Sequence, residues 1–577
     1  MTSIILQESN DAVNNAMLKL GLSDTQAKIM SCRFNNVGDA VAMIKSSFQT
    51  IPELSLMSGI DAAADIIHSA IQARERVAIV TDYDSDGVNS AIVLHEFIDG
   101  IFGAADTLAI INKRINGNGI TRALLDAILY EHFKEPIGLV ITADHGSSNG
   151  QAIDELKQHG IKVCVTDHHK IPKEGNANNA DAFVNPQKDT GSPFAKISGC
   201  TVAYYTVLHT FNKYRSFYND EKQIVRKCLP MVAIATIGDS MNMANPINRS
   251  LVRTGLREMN SLIDPHWVGL RKILEVPWLF DEETVSFSFV PMINAASRMG
   301  NPMDAFDFYT SDRPIDIETS LVKLSKINKE RRKVQNDLTL IATMEAIHHK
   351  DDYALAICLE KGFGINGIIS SKVGSMFYKP IVTFVLHGDV YEGSGRSINK
   401  SFNLLRAFEH INSKDGDIFV KFGGHDLAAG CSIKKDKADD FRRLFNEEAK
   451  EQLGVIGKPV FEVVEYLPHE HLNMQLLVDV ASVGPYGEGY SKPTYAGIFI
   501  VSSLHLFGKQ SFHAKVGLRL NTGKMIEAMM FNASDNDYDR VLEDCLNKMV
   551  RAVYNVVLNT YMGNNSVELR LLHVEPV

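Results

Sequence analysis

Eight side chains able to hold or move charge fall in four short motifs. Asp82, Asp84 and Asp86 lie in TDYDSDG (81–87), Asp144 in TADHG (142–146), Asp167, His168 and His169 in TDHH (166–169), and Asp239 in GDS (238–240). Carboxylates and imidazoles converging without cysteine favour hard or borderline divalent ions such as Mn2+ or Mg2+. So many carboxylates gathered in one place would repel one another unless cations neutralised them. Two ions about 3.5–4 Å apart would do so, and would activate water against a phosphate while stabilising the leaving oxygen. The plain alternative is ordinary loop aspartates and helix N-caps. It holds for a single aspartate about as well as the metal reading, and poorly for four clusters in the same setting.

That setting is what makes the pattern informative. Each cluster follows at once an apolar run of strand length: 77–80, 137–141, 161–165 and 231–237. Segments of helical character, such as 90–102 and 148–159, separate the runs. Continuous apolar strands alternating with helices predict a parallel sheet buried on both faces. Ligands of such sheets bind beyond the carboxyl ends of the strands, so all four clusters are expected along one edge.

The remaining elements surround this unit. Residues 1–70 read as an N-terminal helical segment, 71–315 as the parallel-sheet domain, and 316–350 as a long charged connector helix with apolar Leu321, Leu324, Ile327 and Leu338. Residues 351–455 read as a smaller α/β domain with strands at 354–359 and 381–386, a closing helix at 434–453, and two glycine-rich loops, EGSGRS (392–397) and KFGGH (421–425). Loops of that kind offer either tight turns in which Gly supplies a positive φ, or backbone N–H nests and a guanidinium for phosphate. Residues 456–577 shift to short alternating strands with turn signals such as Asn521-Thr522-Gly523, which predicts a small β-barrel. Tyr486, Phe507, Lys509, His513 and Lys515 lie there, as core aromatics and solvated lysines or as a surface for stacking bases. The fold class is therefore α/β: a parallel-sheet domain, a long helix, a smaller α/β domain and a C-terminal OB-like barrel.

Composition sets outer limits. Over 577 residues, 45% hydrophobic and 22% charged is a globular balance and excludes a disordered or collagen-like chain. A net charge of −10 excludes nucleic-acid binding by bulk positive charge, though not through a local basic groove. No run of roughly 18 apolar residues and no basic leader occur, so neither a membrane span nor a signal peptide is expected. Seven scattered cysteines without a CxxC pair fit a reducing cytoplasm and argue against a cysteine-ligated zinc site.

TDYDSDG, TADHG, TDHH and IGDS in this order resemble the four motifs of the DHH phosphoesterase superfamily, with Asp167-His168-His169 as the triplet that names it. ISG at 197–199, Asn248-Arg249, INAASR (293–298), GSGRS (393–397), FGGH (422–425) with AAG (428–430), and GPYGEG (484–489) extend the resemblance to the RecJ-type exonucleases. NKRINGNG (112–119) is shorter than the corresponding family segment, and Ser297 and His145 depart from its usual residues.

The resemblance implies a DHH domain, a DHHA1 substrate-binding domain and an OB-like domain. It implies two ions, Mn2+ or Mg2+, on Asp84, Asp86, Asp144, His168 and Asp239. Asp82 and Asp167 would be further ligands or would orient imidazoles, and His169 would face the phosphate. Activated water would be the nucleophile, so no Ser or Cys is needed. Arg114, Arg298, Ser394, Gly395, Arg396, Ser397, Gly424 and His425 would contact substrate, with Arg396 gripping a phosphate near the metals and Ser394 and His425 supporting it. The implied activity is 5′→3′ hydrolysis of single-stranded DNA to 5′-mononucleotides in DNA repair or recombination. The expected protein is a cytoplasmic monomer whose partners are single-stranded DNA and a single-strand-binding protein or a helicase, with no membrane. The alternatives are an oligoribonuclease or cyclic-dinucleotide phosphodiesterase of the same superfamily, disfavoured by length and barrel, and a Cdc45-like scaffold, disfavoured by the intact motif acids.

Overall fold

The computed structural model describes residues 3–577 apart from 105, 132–135, 219–221, 262, 277–278, 456–458, 509–512 and 561–564. The chain divides into two compact units. One comprises Arg33–Lys329 with Val483–Lys492; the other comprises Met1–Cys32, Glu330–Ser482 and Pro493–Val577.

The first unit is built on a five-stranded sheet in the order Thr107–Ile111, Arg76–Thr81, Ile137–Ala143, Lys162–Thr166, Ala182–Val184. Every neighbouring pair is parallel. The central strands are apolar along most of their length and buried: Val77–Thr81 are all buried. The order reverses between Arg76–Thr81 and Ile137–Ala143. At such a switch point the following connections diverge to opposite faces and leave a crevice beyond the strand ends. TDYDSDG and TADHG leave the two strands that flank it.

One of the four apolar runs is not a strand. Residues 231–237 lie in the helix Leu229–Gly238, buried along its length, with Pro230 in its first turn. A helix enclosed on all sides is as continuously apolar as a buried strand, so the run alone does not separate the two. Asp239 therefore leaves a helix end. Thr107–Ile111 and Ala182–Val184 complete the sheet from runs too short or too mixed to stand out.

The helix Pro314–His348 runs from the first unit into the second. The second unit carries a mixed sheet in the order Phe419–Gly424, Ala428–Lys434, Val390–Arg396, Ile381–His387, Leu355–Leu359. Here the two glycine-rich loops prove to be strands. Gly393, Ser394, Gly395 and Arg396 pair with Cys431, Gly430, Ala429 and Ala428 on one side and with Phe384 to Ile381 on the other. No left-handed turn or amide nest forms at GSGRS, because both strand neighbours claim its backbone. Its glycines supply space: a Cβ on Gly393 would lie 2.5 Å from the Phe384 ring, and one on Gly395 2.9 Å from Leu404.

The C-terminal strands Tyr495–Phe507, His513–Arg519, Met525–Met530, Ser566–Pro576 and Met549–Asn559 close on themselves as a five-stranded barrel. The N-terminal segment is not all helical, since Ser3–Leu6 is a strand paired in parallel with Val460–Val463. Within the barrel Lys515 is ion-paired with Glu527 at 2.9 Å, and His513 stands against Phe507 and Phe531. Lys509 lies outside the described residues. Tyr486 is not a barrel residue but packs, 7% exposed, in the first unit. Among the described residues no helix is long and apolar enough to cross a membrane.

Gly393→Ala is expected to lower the unfolding free energy by about 1–3 kcal/mol through overpacking against Phe384. Gly423→Ala, in the edge strand of the same sheet with nothing near its Cβ position, should stay within about 0.5 kcal/mol of the parent. Denaturant unfolding of the two variants makes the comparison, and equal losses would show that the ring moves aside.

Candidate metal centre

Asp84 is the N-cap of the helix Ser85–His95; its Oδ1 accepts from the N–H of Asp86 at 3.0 Å and of Gly87 at 3.2 Å. Gly87 lets this turn close on the preceding strand end, because a Cβ there would fall 2.2 Å from the Asp82 carbonyl oxygen. Asn294, on the helix carrying INAASR, accepts from the Ser85 N–H at 2.8 Å and fixes the same turn from the other side.

Asp86 is 1% exposed and points at the N-terminus of the helix Gly199–Lys213. Its two oxygens accept from the N–H groups of Gly199 at 2.7 Å and Cys200 at 2.8 Å. The unpaired amides and dipole of a helix start stabilise a buried carboxylate. Gly199 is needed for a further reason: a Cβ would meet Asp144 at 2.7–2.8 Å. Asp144 has a left-handed backbone, φ 61°. This conformation is uncommon for a non-glycine residue, although Asp and Asn tolerate it better than most. It turns the side chain from the strand end into the crevice.

His168 decides how these groups can be read. Its Nδ1 lies 3.0 Å from the Ile197 carbonyl oxygen, which can only accept, so Nδ1 carries the proton. Nε2 is the nitrogen left for a ligand, and it faces Asp144 Oδ1 at 3.3 Å, Asp239 Oδ2 at 3.7 Å and Asp86 Oδ2 at 3.8 Å. It is buried and has no hydrogen-bond partner, as is Asp82 Oδ1. Nitrogen and carboxylate oxygens at these distances, with no hydrogen bond from Nε2, leave donors converging on a position a cation can take. The donors form overlapping sets whose atoms fall within 4.8 Å of one another: Asp86, His168 and Asp239; Asp82, Asp84 and Asp144; and Asp144, His168 and His169. Asp144 belongs to two sets and is placed to bridge. The residues thus fit two hard divalent ions.

Asp167 does not point at the other acids. Its Oδ1 accepts from the N–H of His168 at 2.7 Å and of His169 at 3.2 Å, and from His169 Nδ1 at 2.8 Å, while Oδ2 accepts from the Ser147 N–H at 2.9 Å. Burial would push Asp167 up, but His169 and these donors together hold it well below the usual carboxylate range. In return the Asp167 hydrogen bond, working against burial, raises His169 to about 9. His169 is more than half exposed and keeps Nε2 for a ligand. Asn185, which no sequence pattern singled out, donates to the His169 carbonyl at 2.9 Å and to Ser147 Oγ at 2.8 Å. The signal for it is the pair Asn185-Pro186 at the end of a three-residue strand.

Arg114 also belongs to this unit. Its guanidinium lies over the Tyr83 ring at 4.1 Å, and the Tyr83 hydroxyl donates to Asn118 at 2.5 Å. The Arg298 charge acts on the same tyrosine from the helix Val290–Met299. Ser394, Gly395, Arg396, Ser397, Gly424 and His425 lie in the second unit. There Arg396, Gly424 and His425 share one end of three adjoining strands. Arg396 Nη1 donates to the Gly395 carbonyl at 2.7 Å and to Ser394 Oγ at 3.3 Å. Burial lowers its pKa.

Comparison with known proteins follows the same division. Residues 76–236 match the model of the DHH family N-terminal domain, 354–451 that of the DHHA1 domain and 465–573 that of the RecJ OB domain. The single-stranded-DNA-specific exonuclease RecJ of Haemophilus influenzae is 26% identical over 553 residues, covering 90% of this chain and 91% of the relative. A putative single-strand DNA-specific exonuclease of Bacillus phage SPbeta is 22% identical and covered to 96% on both sides. The crystal structure of RecJ from Thermus thermophilus in complex with Mn2+ superposes with a TM-score of 0.79 at 21% identity, covering 100% of this chain and 79% of that one, which shows a shared fold.

Burial, with the neighbouring carboxylates adding to it, pushes Asp82 up to about 7 and Asp239 up to about 8. Without metal these carboxyls bind protons that the unfolded chain, with Asp near about 3.9, has already released. Stability of the metal-free protein should therefore fall as pH rises from about 5 to about 8. Mn2+, which binds the ionised acids, should remove the fall. Thermal unfolding at stepped pH, with and without Mn2+, tests this. The metal-free slope should flatten in Asp239→Asn, and an unchanged slope would show that Asp239 is ionised throughout.

Proposed function

Because the chain belongs to the DHH superfamily in its RecJ-type arrangement of DHH, DHHA1 and OB domains, we propose that it is a metal-dependent exonuclease specific for single-stranded DNA. It digests from the 5′ end and releases 5′-mononucleotides. The observation that carries this reading is the overlapping set of carboxylate and imidazole donors, in which His168 Nε2 makes no hydrogen bond and stands 3.3–3.8 Å from three carboxylates. The direction of digestion follows from the family.

Asp82, Asp84, Asp86, Asp144, His168 and Asp239 would hold two ions, Mn2+ or Mg2+. When bound, these supply charge neutralisation and the activation of water against phosphorus. The protein's own groups do the rest. His169, kept protonated by Asp167, offers Nε2–H to the scissile phosphate or to the 3′ oxygen that leaves as the P–O3′ bond breaks. Asp167 holds the imidazole in that orientation. Arg114 is held flat by Tyr83, which suits its guanidinium to a phosphate oxygen. Arg298 is a further phosphate contact. In the second unit Arg396 forms no ion pair among the described residues, so its guanidinium remains available for phosphate, with Ser394, Gly395, Ser397, Gly424 and His425 around it. With a net charge of −10, affinity must come from such local contacts. A cytoplasmic monomer working in repair or recombination with a single-strand-binding protein or a helicase completes the proposal.

Incubation with 5′- and 3′-end-labelled single-stranded DNA and RNA decides between the readings. The expected result is metal-dependent release of labelled mononucleotide from 5′-labelled DNA, stopped by chelator and restored by Mn2+. Equal or faster loss of RNA would indicate an oligoribonuclease, and no hydrolysis a scaffold. Asp144→Ala should fall to the chelated background. Arg396→Ala should lose about tenfold to a hundredfold in kcat/KM, the worth of one charge-assisted hydrogen bond, while both metals remain bound. Parent-like kinetics at moderate salt would make Arg396 a structural residue.

A further inference from the structure

GPYGEG resembles a segment of the family's barrel region, yet Val483–Lys492 belongs to the metal-binding unit, while the residues on either side of it belong to the other. It is held there unusually firmly. Arg249, a fully buried side chain, spends its guanidinium on three of its carbonyls: Nη1 donates to Pro485 at 3.0 Å, and Nη2 to Val483 at 2.5 Å and Gly484 at 2.6 Å. Arg253 adds a bond to the Gly484 carbonyl at 3.1 Å, and Glu282 accepts from the Tyr486 N–H at 3.1 Å. Burying a guanidinium among neutral carbonyls carries a desolvation cost, so covering surface alone does not account for it.

The middle of the segment meets the turn that follows Asp239. The Met243 N–H donates to the Glu488 carbonyl at 2.7 Å. Gly489, at φ 70°, lies so close to Asn242 that a Cβ would fall 2.2 Å from its Oδ1, the atom that accepts from the Ala244 N–H. Ser240 in this turn is itself left-handed, φ 53°. From Asn242 the connection continues inward. Buried Asn248 donates to the Asn242 carbonyl at 3.0 Å and to the Lys196 carbonyl at 2.8 Å, and the next carbonyl, Ile197, is the one that fixes His168.

We propose that Val483–Lys492 is a positioning strap for the metal centre. It sets the turn carrying Asp239 and, through Asn242, Asn248 and Lys196-Ile197, the orientation of His168. None of its residues belongs to the candidate metal-binding groups among the described residues. The proposal rests on the metal-binding reading above and makes loading of the centre depend on a segment distant in sequence from every ligand. Partners that orient metal ligands are typically worth about 10–100-fold in metal affinity.

The test uses the full-length protein, Mn2+ alone as probe, and titration calorimetry or the electron-spin signal of free Mn2+ as readout. Gly489→Ala, which pushes on Asn242, and Asn248→Ala, which cuts the bonds to the Asn242 and Lys196 carbonyls, should each weaken Mn2+ binding about 10–100-fold. Activity on single-stranded DNA should fall through kcat at low Mn2+, recover at high Mn2+, and show an unchanged KM. A merely structural role would lower the melting temperature and leave Mn2+ affinity in the folded fraction at the parental value. That result in both variants, with Asp239→Asn losing metal, overturns the strap alone. Parental Mn2+ affinity in Asp239→Asn overturns the metal reading and the strap with it.

Discussion

Carboxylates that repel one another are confined, half-buried or fully buried, around a single imidazole nitrogen, and much of the first unit serves to keep them there. Each is held by a different device. Asp84 caps a helix. Asp86 draws on two amides at a helix start. Asp144 is turned inward by a left-handed backbone. Asp239 follows the last residue of the helix Leu229–Gly238, where the dipole opposes a negative charge. Its helix gives it no support, and its turn is braced by Glu488 and Gly489.

The crevice also depends on close backbone approach. Gly87 touches the Asp82 carbonyl and Gly199 touches Asp144, so any side chain at either position would drive the motifs apart. The glycines of GSGRS act differently, making room for Phe384 and Leu404 in a core. Glycine-rich sequence therefore has two physical meanings in this chain, close packing at the metal centre and core clearance in the second sheet.

The two histidines of the triplet are separated in role by what their Nδ1 atoms meet. His168 meets a carbonyl, which turns Nε2 toward the carboxylates and leaves it as the nitrogen for a cation. His169 meets the ionised Asp167, which keeps the ring protonated and suited to an anion. One dipeptide can thus serve both the metal side and the phosphate side of the same reaction.

Much of the site was legible in the sequence because its acids follow apolar segments directly, and burial on both sheet faces leaves few residue types other than apolar ones before the strand ends. Asp82, Asp84, Asp86, Asp144 and the Asp167-His168-His169 triplet were found this way. The helix before Asp239 was misread as a strand because complete burial erases the periodicity that tells the two apart. Turn or nest geometry at GSGRS was inferred from composition, and strand pairing with residues at 381–384 and 428–431, distant in sequence, decided otherwise. Ile197 acts through its carbonyl, and Asn185 and Arg249 through bonds to backbone carbonyls; ISG and Asn248-Arg249 carried the resemblance without revealing these roles. Residue type and order determined what chemistry this chain can hold; only the tertiary structure decided which lone pairs face it, because that depends on backbone groups that long-range packing brings together.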